Sequence, residues 1–432
     1  MKTVARFLAV ILIITVLCRF SVAGEAQMLR LKVSAPETDC VDVPLHAVVE
    51  LPEQFADVPD EEISVEVGQE GNGERILPGQ VVTAGKKKTQ LWWIAPKLKA
   101  GLTSTWIATL SRKKKPVTNF SWKDEKENYL DLLFDGRKVT RYMYAYDDST
   151  PQRAFETYEP FHHVFDEQGQ NLLTNGPDGM HPYLKGKIKY PHHRGIFIGW
   201  SRLEFAGSRY SFWGMGGGVA QVHQKFLEQS AGPALARSKV LIHWNDKNGE
   251  PIIAEVRETT VFRQSKPTIL LLDFHTELKA IRGDVFLNGD PEHAGFQYRA
   301  HDAVDKGDKQ VKATYLFHED GIDPRKDEDL PWAAMSYGLN DRRYSVQYMN
   351  HPSNPKPTVY SAYRDYGRFG AFFKHQINAG EVLRVLYRIW IIDGEMPKRQ
   401  NLSSKYSAFV NSPRVEPFDS AQGGEPVEPV LE

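Results

Sequence analysis

The chain contains only two cysteines, Cys18 and Cys40. With so few thiols, neither a disulfide framework nor a cysteine-rich metal centre can be built, and the fold has to rest on its hydrophobic core. An excess of one charge is missing too: 54 Lys and Arg stand against 55 Asp and Glu, for a formal net charge of -1. No global field then favours nucleic acid or an anionic membrane surface, and no nucleic-acid partner is expected. The apolar run from Phe7 to Cys18 is shorter than the roughly 20 residues that span a bilayer. Lys2 and Arg6 precede it, and the small residues Ser21, Ala23 and Ala26 follow. That order predicts a secretory signal peptide over residues 1–26, an uncleaved anchor being the alternative. Cleavage leaves Cys40 alone. The expected location is therefore exported, bacterial periplasmic or extracellular, with no membrane contact beyond the signal segment.

Convincing helical periodicity is absent, and so is any repeat of fixed length, which disfavours a propeller. What is present instead is a long succession of strands. From Gln27 to Arg112, runs such as "LRLKV", "LHAVVEL", "ISVEV" and "TSTWIATLS" alternate between Pro and Gly turns. They predict a small immunoglobulin-like β-sandwich over residues 27–116. The basic runs "GKKK" (Gly85 to Lys88) and "SRKKKP" (Ser111 to Pro116) read as solvated turns, the second marking a boundary. Over residues 117–410 the pattern predicts a large antiparallel β-sandwich, making the whole protein all-β. Hairpins are expected at Asp135 and Gly136, at Asn248 and Gly249, and within "GAFFKHQINAGEVLRVLYRIWIID". The tail over residues 411–432, with three Glu-Pro pairs, is expected to be disordered.

Chemistry is concentrated in the second part, because thirteen of the fourteen histidines follow residue 160. In "YPHHRGIFIGW", a regular strand would send His192 and Arg194 to one face and His193 to the other. They can converge only from an irregular loop, with Gly195 allowing close backbone approach. "NGPDGMHPY" supplies Asp178 and His181 in a turn-rich stretch. Along "KPTILLLDFHTEL", Asp273, His275 and Glu277 share one face, a polar stripe able to supply an acid, a base and an orienting group. Glu255 and Arg257 read as a structural pair. Glu292, His293 and Arg299 in "PEHAGFQYRAHD", and His351 and Asn354 in "YMNHPSNPKPT", offer multidentate polar contacts. With Trp200, Tyr210, Trp213, Tyr298 and Tyr363 they suggest a sugar cleft. No HxH, HExxH or CxxC spacing occurs, so a metal site would have to be gathered from separate loops. No cofactor is expected, a bound metal ion being the alternative.

The ordered motifs "HPYLKG", "YPHHRGIFIGW", "YSFWG", "HAGFQYR", "HPSNPKPT" and "YRIWIIDG" resemble a bacterial family labelled PmoA-like, or methane oxygenase, over roughly Phe120 to Pro397. The label conflicts with the sequence, since an integral membrane subunit with several spanning helices does not read as β. The family also resembles galactose-mutarotase-like sandwiches, in which His and carboxylate side chains on a concave sheet act on a sugar ring. That resemblance marks His181, His192, His193, Arg194, His293, Arg299, His351 and Asn354. The expected function is an exported carbohydrate-active enzyme of hydrolase, lyase or epimerase type. His192 or His193 would serve as acid or base, and Asp273, Glu277 or Glu292 as the carboxylate counterpart. Arg194 and Arg299 would anchor the saccharide, with His181, His275, His293, His351 and Asn354 around it. The alternatives are a non-catalytic glycan-binding protein and a metal-dependent oxygenase.

Overall fold

A computed structural model describes residues 26–418 except 72–74, 85–87, 113–118 and 184. The predicted signal peptide thus lies outside the described residues apart from Ala26, as do most of the two basic runs. Antiparallel strands dominate, as the sequence predicts. The first sheet runs in the order Cys40–Val49, Lys88–Leu98, Leu77–Ala84, Ile63–Gln69, Thr103–Arg112, Gln27–Ser34 and Arg414–Phe418. Its inward residues alternate along each strand, so Leu31, Val33, Leu45, Leu91, Trp93, Trp106 and Ala108 form one buried cluster. The seven strands are hydrogen-bonded in one continuous sheet, which curls until its two edge strands meet. Arg414–Phe418 pairs with Gln27–Ser34, Val415 opposite Val33. Part of the segment expected to be disordered is thus a strand, held there because its Val415 packs against this core.

Two eight-stranded sheets make up the larger part. One runs Val359–Tyr360, Arg368–Phe372, Ala294–Arg299, Ile196–Trp200, Phe161–Val164, Arg137–Met143, Tyr129–Phe134 and Phe120–Glu125; it is called the site sheet below. The other runs Ala220–Ala231, Leu235–Asn245, Pro251–Phe262, Thr268–Ala280, Val382–Asp393, Arg342–Asn350, Trp332–Leu339 and Thr314–Phe317. Ile196, Ile198, Trp200, Phe296, Tyr298 and Phe369 of the site sheet pack against Trp244, Leu272, Phe274, Tyr348, Tyr387 and Ile389 of the other. Phe274 and Phe296 meet at 4.4 Å between ring centroids, and Phe296 stacks on Tyr387 at 4.6 Å. Trp200 and Tyr298, expected in a sugar cleft, are thereby core residues. The alternate residues of the site sheet, Arg141, Phe161, His163, Phe197, Gln297, Arg299 and Arg368, point away from this core. They are buried all the same, beneath connecting loops.

The first two hairpins form as expected, with Gly136 and Gly249 in left-handed conformations at φ 78° and 81°. The third does not. Arg368–Phe372 joins the site sheet, His375–Ile377 joins a small four-stranded sheet beside Val285–Asn288, and Val382–Asp393 joins the opposite sheet. Sequence pattern also missed the helix Arg399–Val410. Leu402 and Phe409 rest on Trp332 and Met349, whereas Ala408 enters the first sheet's core and the Lys405 Nζ donates to Val41 O at 2.8 Å. A helix wedged between two bodies buries two faces, so no single apolar stripe marks it.

Several histidines are buried uncharged. Loss of hydration pushes His162 down to about 3. The same cause brings His163 to about 4, a hydrogen bond with Pro177 O opposing it in part. Both folded values lie below the unfolded value of about 6.5. Under that pH the unfolded chain binds protons that the folded chain does not, so stability falls as the pH drops from about 6.5 toward about 4. Urea midpoints are expected to be clearly lower at pH 5 than at pH 7.5; equal midpoints would contradict this.

Candidate functional site

The segment Tyr190 to Gly195 is an irregular turn, as the paired histidines require. Tyr190 takes φ 55°, and the His193 amide donates to Tyr190 O at 3.0 Å. Gly195 crosses the chain at Phe161–Val164 so closely that a Cβ there would lie 2.0 Å from His162 O. Only glycine fits. The turn sends His193 and Arg194 in different directions.

His193 is 2% exposed, and neither ring nitrogen has a hydrogen-bond partner. Around it stand Tyr190, stacked at 5.2 Å, His192, edge-on at 4.3 Å, Trp213, edge-on at 5.6 Å, and Tyr366 at 6.1 Å. Loss of hydration, reinforced by the Arg368, His192, Arg299 and His293 charges, holds its pKa well below the ordinary histidine value. It is therefore a neutral imidazole at physiological pH. Arg368 is fixed by Gln297 Oε1 and Ser361 Oγ, each at 3.0 Å, and by the Tyr366 hydroxyl at 3.2 Å. The Arg299 guanidinium donates to Tyr366 O, while its Nε and second terminal nitrogen lack hydrogen-bond partners. The Trp213 indole nitrogen is also buried without one.

Above this floor lies a more open rim. His293 is held by Asp290 at 2.8 Å and meets the Trp213 ring at 6.1 Å. Glu292 accepts from the Tyr363 hydroxyl at 2.8 Å and pairs with Arg364. Burial alone would raise the Glu292 pKa, but the hydrogen bonds from Arg364 and Tyr363 outweigh it and leave the group below its ordinary value. The Tyr363 phenol is pushed up to about 12, by burial first and then by this carboxylate. Of the residues expected at the site, His192, His193, Glu292, His293 and Arg299 therefore come together.

The others go elsewhere. Asp273 and Glu277 sit on the opposite sheet, on the face away from the sandwich core. There they pair across strands with Arg388 (2.5 and 2.8 Å) and Arg384 (2.9 Å), so the catalytic role expected of them is corrected to cross-strand pairing. His275 shares that face. His351 binds Ser353 Oγ at 2.7 Å and meets Phe409 at 5.3 Å beside the Asp273–Arg388 pair. Asn354 bonds both the amide and the carbonyl of Leu386 at 2.8 Å, which pins a loop to a strand. Arg194 turns under the helix Pro151–Thr157, donating to Phe155 O and Glu156 O. His181 pairs with Asp178 at 2.7 Å in a separate cleft.

Arg364, Tyr366 and Arg368 were not singled out in the sequence. They alternate in "YRDYGRFG", where Gly367 at φ 80° turns the chain into the strand; the signal was alternating Arg and Tyr around a glycine. Among the described residues, no group of three His, Cys, Asp or Glu side chains is placed to hold a metal ion. Nor is any helix among them long and apolar enough to cross a membrane.

No curated protein matches the chain. Among solved structures it is similar to a GalM/aldose epimerase homologue from C. elegans at 8% identity and a TM-score of 0.28. That match covers 64% of this chain and 99% of the other. The family model that matches is not described as PmoA-like or as methane oxygenase. Its match extends over residues 129–407, from the site sheet to the wedged helix, and the chain belongs to that family, DUF6807, a family of unknown function.

Proposed function

We propose that the protein is an exported carbohydrate-active enzyme that moves a proton on a saccharide at the His193 centre. The observation that carries this reading is a neutral imidazole, both nitrogens unengaged, set between aromatic rings and beside two buried guanidinium groups. Aromatic faces suit the apolar side of a sugar ring, and a neutral imidazole is a competent base. Arg368 and Arg299 supply positive charge for an oxygen that becomes negative as the proton leaves. Two-carboxylate glycoside hydrolysis needs an acid and a second carboxylate flanking the bond. Here Glu292 is the one carboxylate drawn into the cluster from the predicted set, and it is engaged by Arg364 and Tyr363. The arrangement therefore favours elimination or epimerisation over hydrolysis.

Substrate access requires the half-buried Tyr190 and His192 rings to rotate off His193. The burial of His193 also supports a second reading, non-catalytic glycan binding on the Tyr363, His293 and Glu292 rim. Incubation of the purified protein with a panel of neutral and uronate oligosaccharides, followed by proton NMR in D2O, separates the two. A new unsaturated sugar, or an epimerised sugar carrying deuterium at the inverted carbon, is the expected result. Binding without any change in the sugar would favour the second reading. Export is supported by Lys2 and Arg6 ahead of the Phe7 to Cys18 run; cell fractionation showing an unprocessed cytoplasmic chain would overturn it.

A further inference from the structure

A separate cleft of about 280 Å³ opens between the helix Pro151–Thr157 and the loop carrying His181. The helix starts where Thr150 caps it, its hydroxyl accepting from the Arg153 amide at 3.1 Å with Pro151 in the first turn. Two carboxylates line the cleft from this segment, and they differ. Glu156 is fully engaged, accepting from Gln152 at 2.6 Å, from Arg153 at 2.9 Å and from the Tyr183 amide at 2.9 Å. Glu159 is 2% exposed, and neither of its oxygens accepts a hydrogen bond. The nearest cation, the Arg194 Nε, lies 3.6 Å away, outside hydrogen-bond distance. Leaving a buried carboxyl group unsatisfied is costly, and such exceptions call for a functional account.

We propose that this cleft is a second ligand site, distinct from the His193 centre, that takes a small uncharged polyhydroxy ring of monosaccharide size. The inner wall covers the Glu159 oxygens in this structure; when that wall gives way, Glu159 bonds the ring's hydroxyl groups at the inner end, and His181 does so at the rim. A volume of about 280 Å³ is at the lower bound for small-molecule sites and excludes longer chains from its interior. Loss of hydration pushes the Glu159 carboxyl up to about 8, with Arg194 and Arg257 opposing it only in part. At neutral pH it is mostly protonated, and offers one O–H donor and one carbonyl acceptor, the complement of a pair of neighbouring hydroxyls. At the rim, Asp178 engages His181 Nδ1 at 2.7 Å, and the exposed ring presents Nε2 to solvent. Glu156, Arg153 and Asp178 also face the cleft or its rim, but they already bond one another or their neighbours, so an uncharged ligand meets no unpaired ion.

The test uses the full chain carrying His193→Ala, which silences the other centre, and three probes: D-galactose, D-glucuronate and D-glucosamine. Isothermal titration at pH 6.5 is expected to show saturable galactose binding and at least about 10-fold weaker binding of both charged sugars. Glu159→Gln, which mimics the protonated acid, keeps galactose affinity within about 3-fold, and Glu159→Leu lowers it at least about 10-fold. Raising the pH to 9.5 weakens binding by about 10-fold with Glu159 present and leaves Glu159→Gln unaffected. That comparison isolates the Glu159 carboxyl from the rest of the cleft. Undiminished binding by Glu159→Leu, preference for a charged sugar, or no binding of any of the three overturns the proposal. Should Glu159→Leu not fold, the pH profile of Glu159→Gln decides: a fall at pH 9.5 equal to that of the parent overturns it.

Discussion

Replacing His193 by alanine is expected to lower turnover of the saccharide by at least about 100-fold, the usual contribution of a positioned general base. The fold should survive, because neither ring nitrogen makes a hydrogen bond that the substitution would break. His193→Gln fills more of the space and keeps polar atoms in it, yet cannot take the proton, so it should be as inactive as alanine. Circular dichroism and the thermal midpoint check that both variants are folded. The proton must go to an uncharged ring, and loss of hydration keeps this ring uncharged well below pH 6.5. The acid limb of kcat/KM is therefore expected well under the ordinary histidine value, instead of near it. Asp273→Asn is the matched control: its carboxylate belongs to the Arg388 pair on the other sheet, and turnover should stay within about 2-fold of the parent. Parent-like activity in both His193 variants, or equal loss in the Asp273 control, would remove His193 from the mechanism.

The contrast between His193 and Asp273 shows how far the residues could be read before the fold was known. Period-two alternation gave the architecture, since one-faced burial writes itself directly into strand sequences such as "ISVEV". It also separated His193 from Arg194 and required the turn at Tyr190 to Gly195. Alternation could not say which of two faces carries the chemistry. Asp273, His275 and Glu277 share a polar face, but that face is the outside of the opposite sheet, where partners on the neighbouring strand neutralise the acids. The residues of the site sheet's outer face, Gln297, Arg299 and Arg368, are polar and nevertheless buried, a state that depends on loops distant in sequence. Arg368 reaches His193 only because its strand pairs with Ala294–Arg299, which in turn pairs with Ile196–Trp200. Such long-range register is set by tertiary packing and leaves no local mark. Glu159 escaped notice for the same reason: as an acid before a proline it looks like an ordinary turn residue, and its lack of a hydrogen-bond partner is a property of the folded surroundings.

The largest loss of stability is expected from Glu255→Ala, about 3–5 kcal/mol, the range for leaving one member of a buried ion pair alone. Glu255 is fully buried between the sheets and bonds Arg257 through both oxygens, at 2.7 and 3.1 Å. The same carboxylate accepts from the Trp244 indole at 2.7 Å and from the Thr276 hydroxyl at 2.8 Å. Removing it strands a guanidinium and two neutral donors away from water, each with its own desolvation cost. Changing both members, Glu255→Leu with Arg257→Met, removes the charges together and should cost far less than Glu255→Ala alone, because no unpaired ion remains. Urea unfolding of the three proteins at pH 7.5 measures the difference; a cost below about 1 kcal/mol for Glu255→Ala would mean that water reaches Arg257. The Arg257 guanidinium also donates to Pro160 O at 3.0 Å, the residue between Glu159 and the strand Phe161–Val164. With Glu255 gone, that guanidinium loses its anchor, so amide exchange along Phe161–Val164 should accelerate more than along the distant Ile63–Gln69. Core and site are thus joined through one arginine, and the double variant, which deletes the bond to Pro160, should regain stability without regaining that protection.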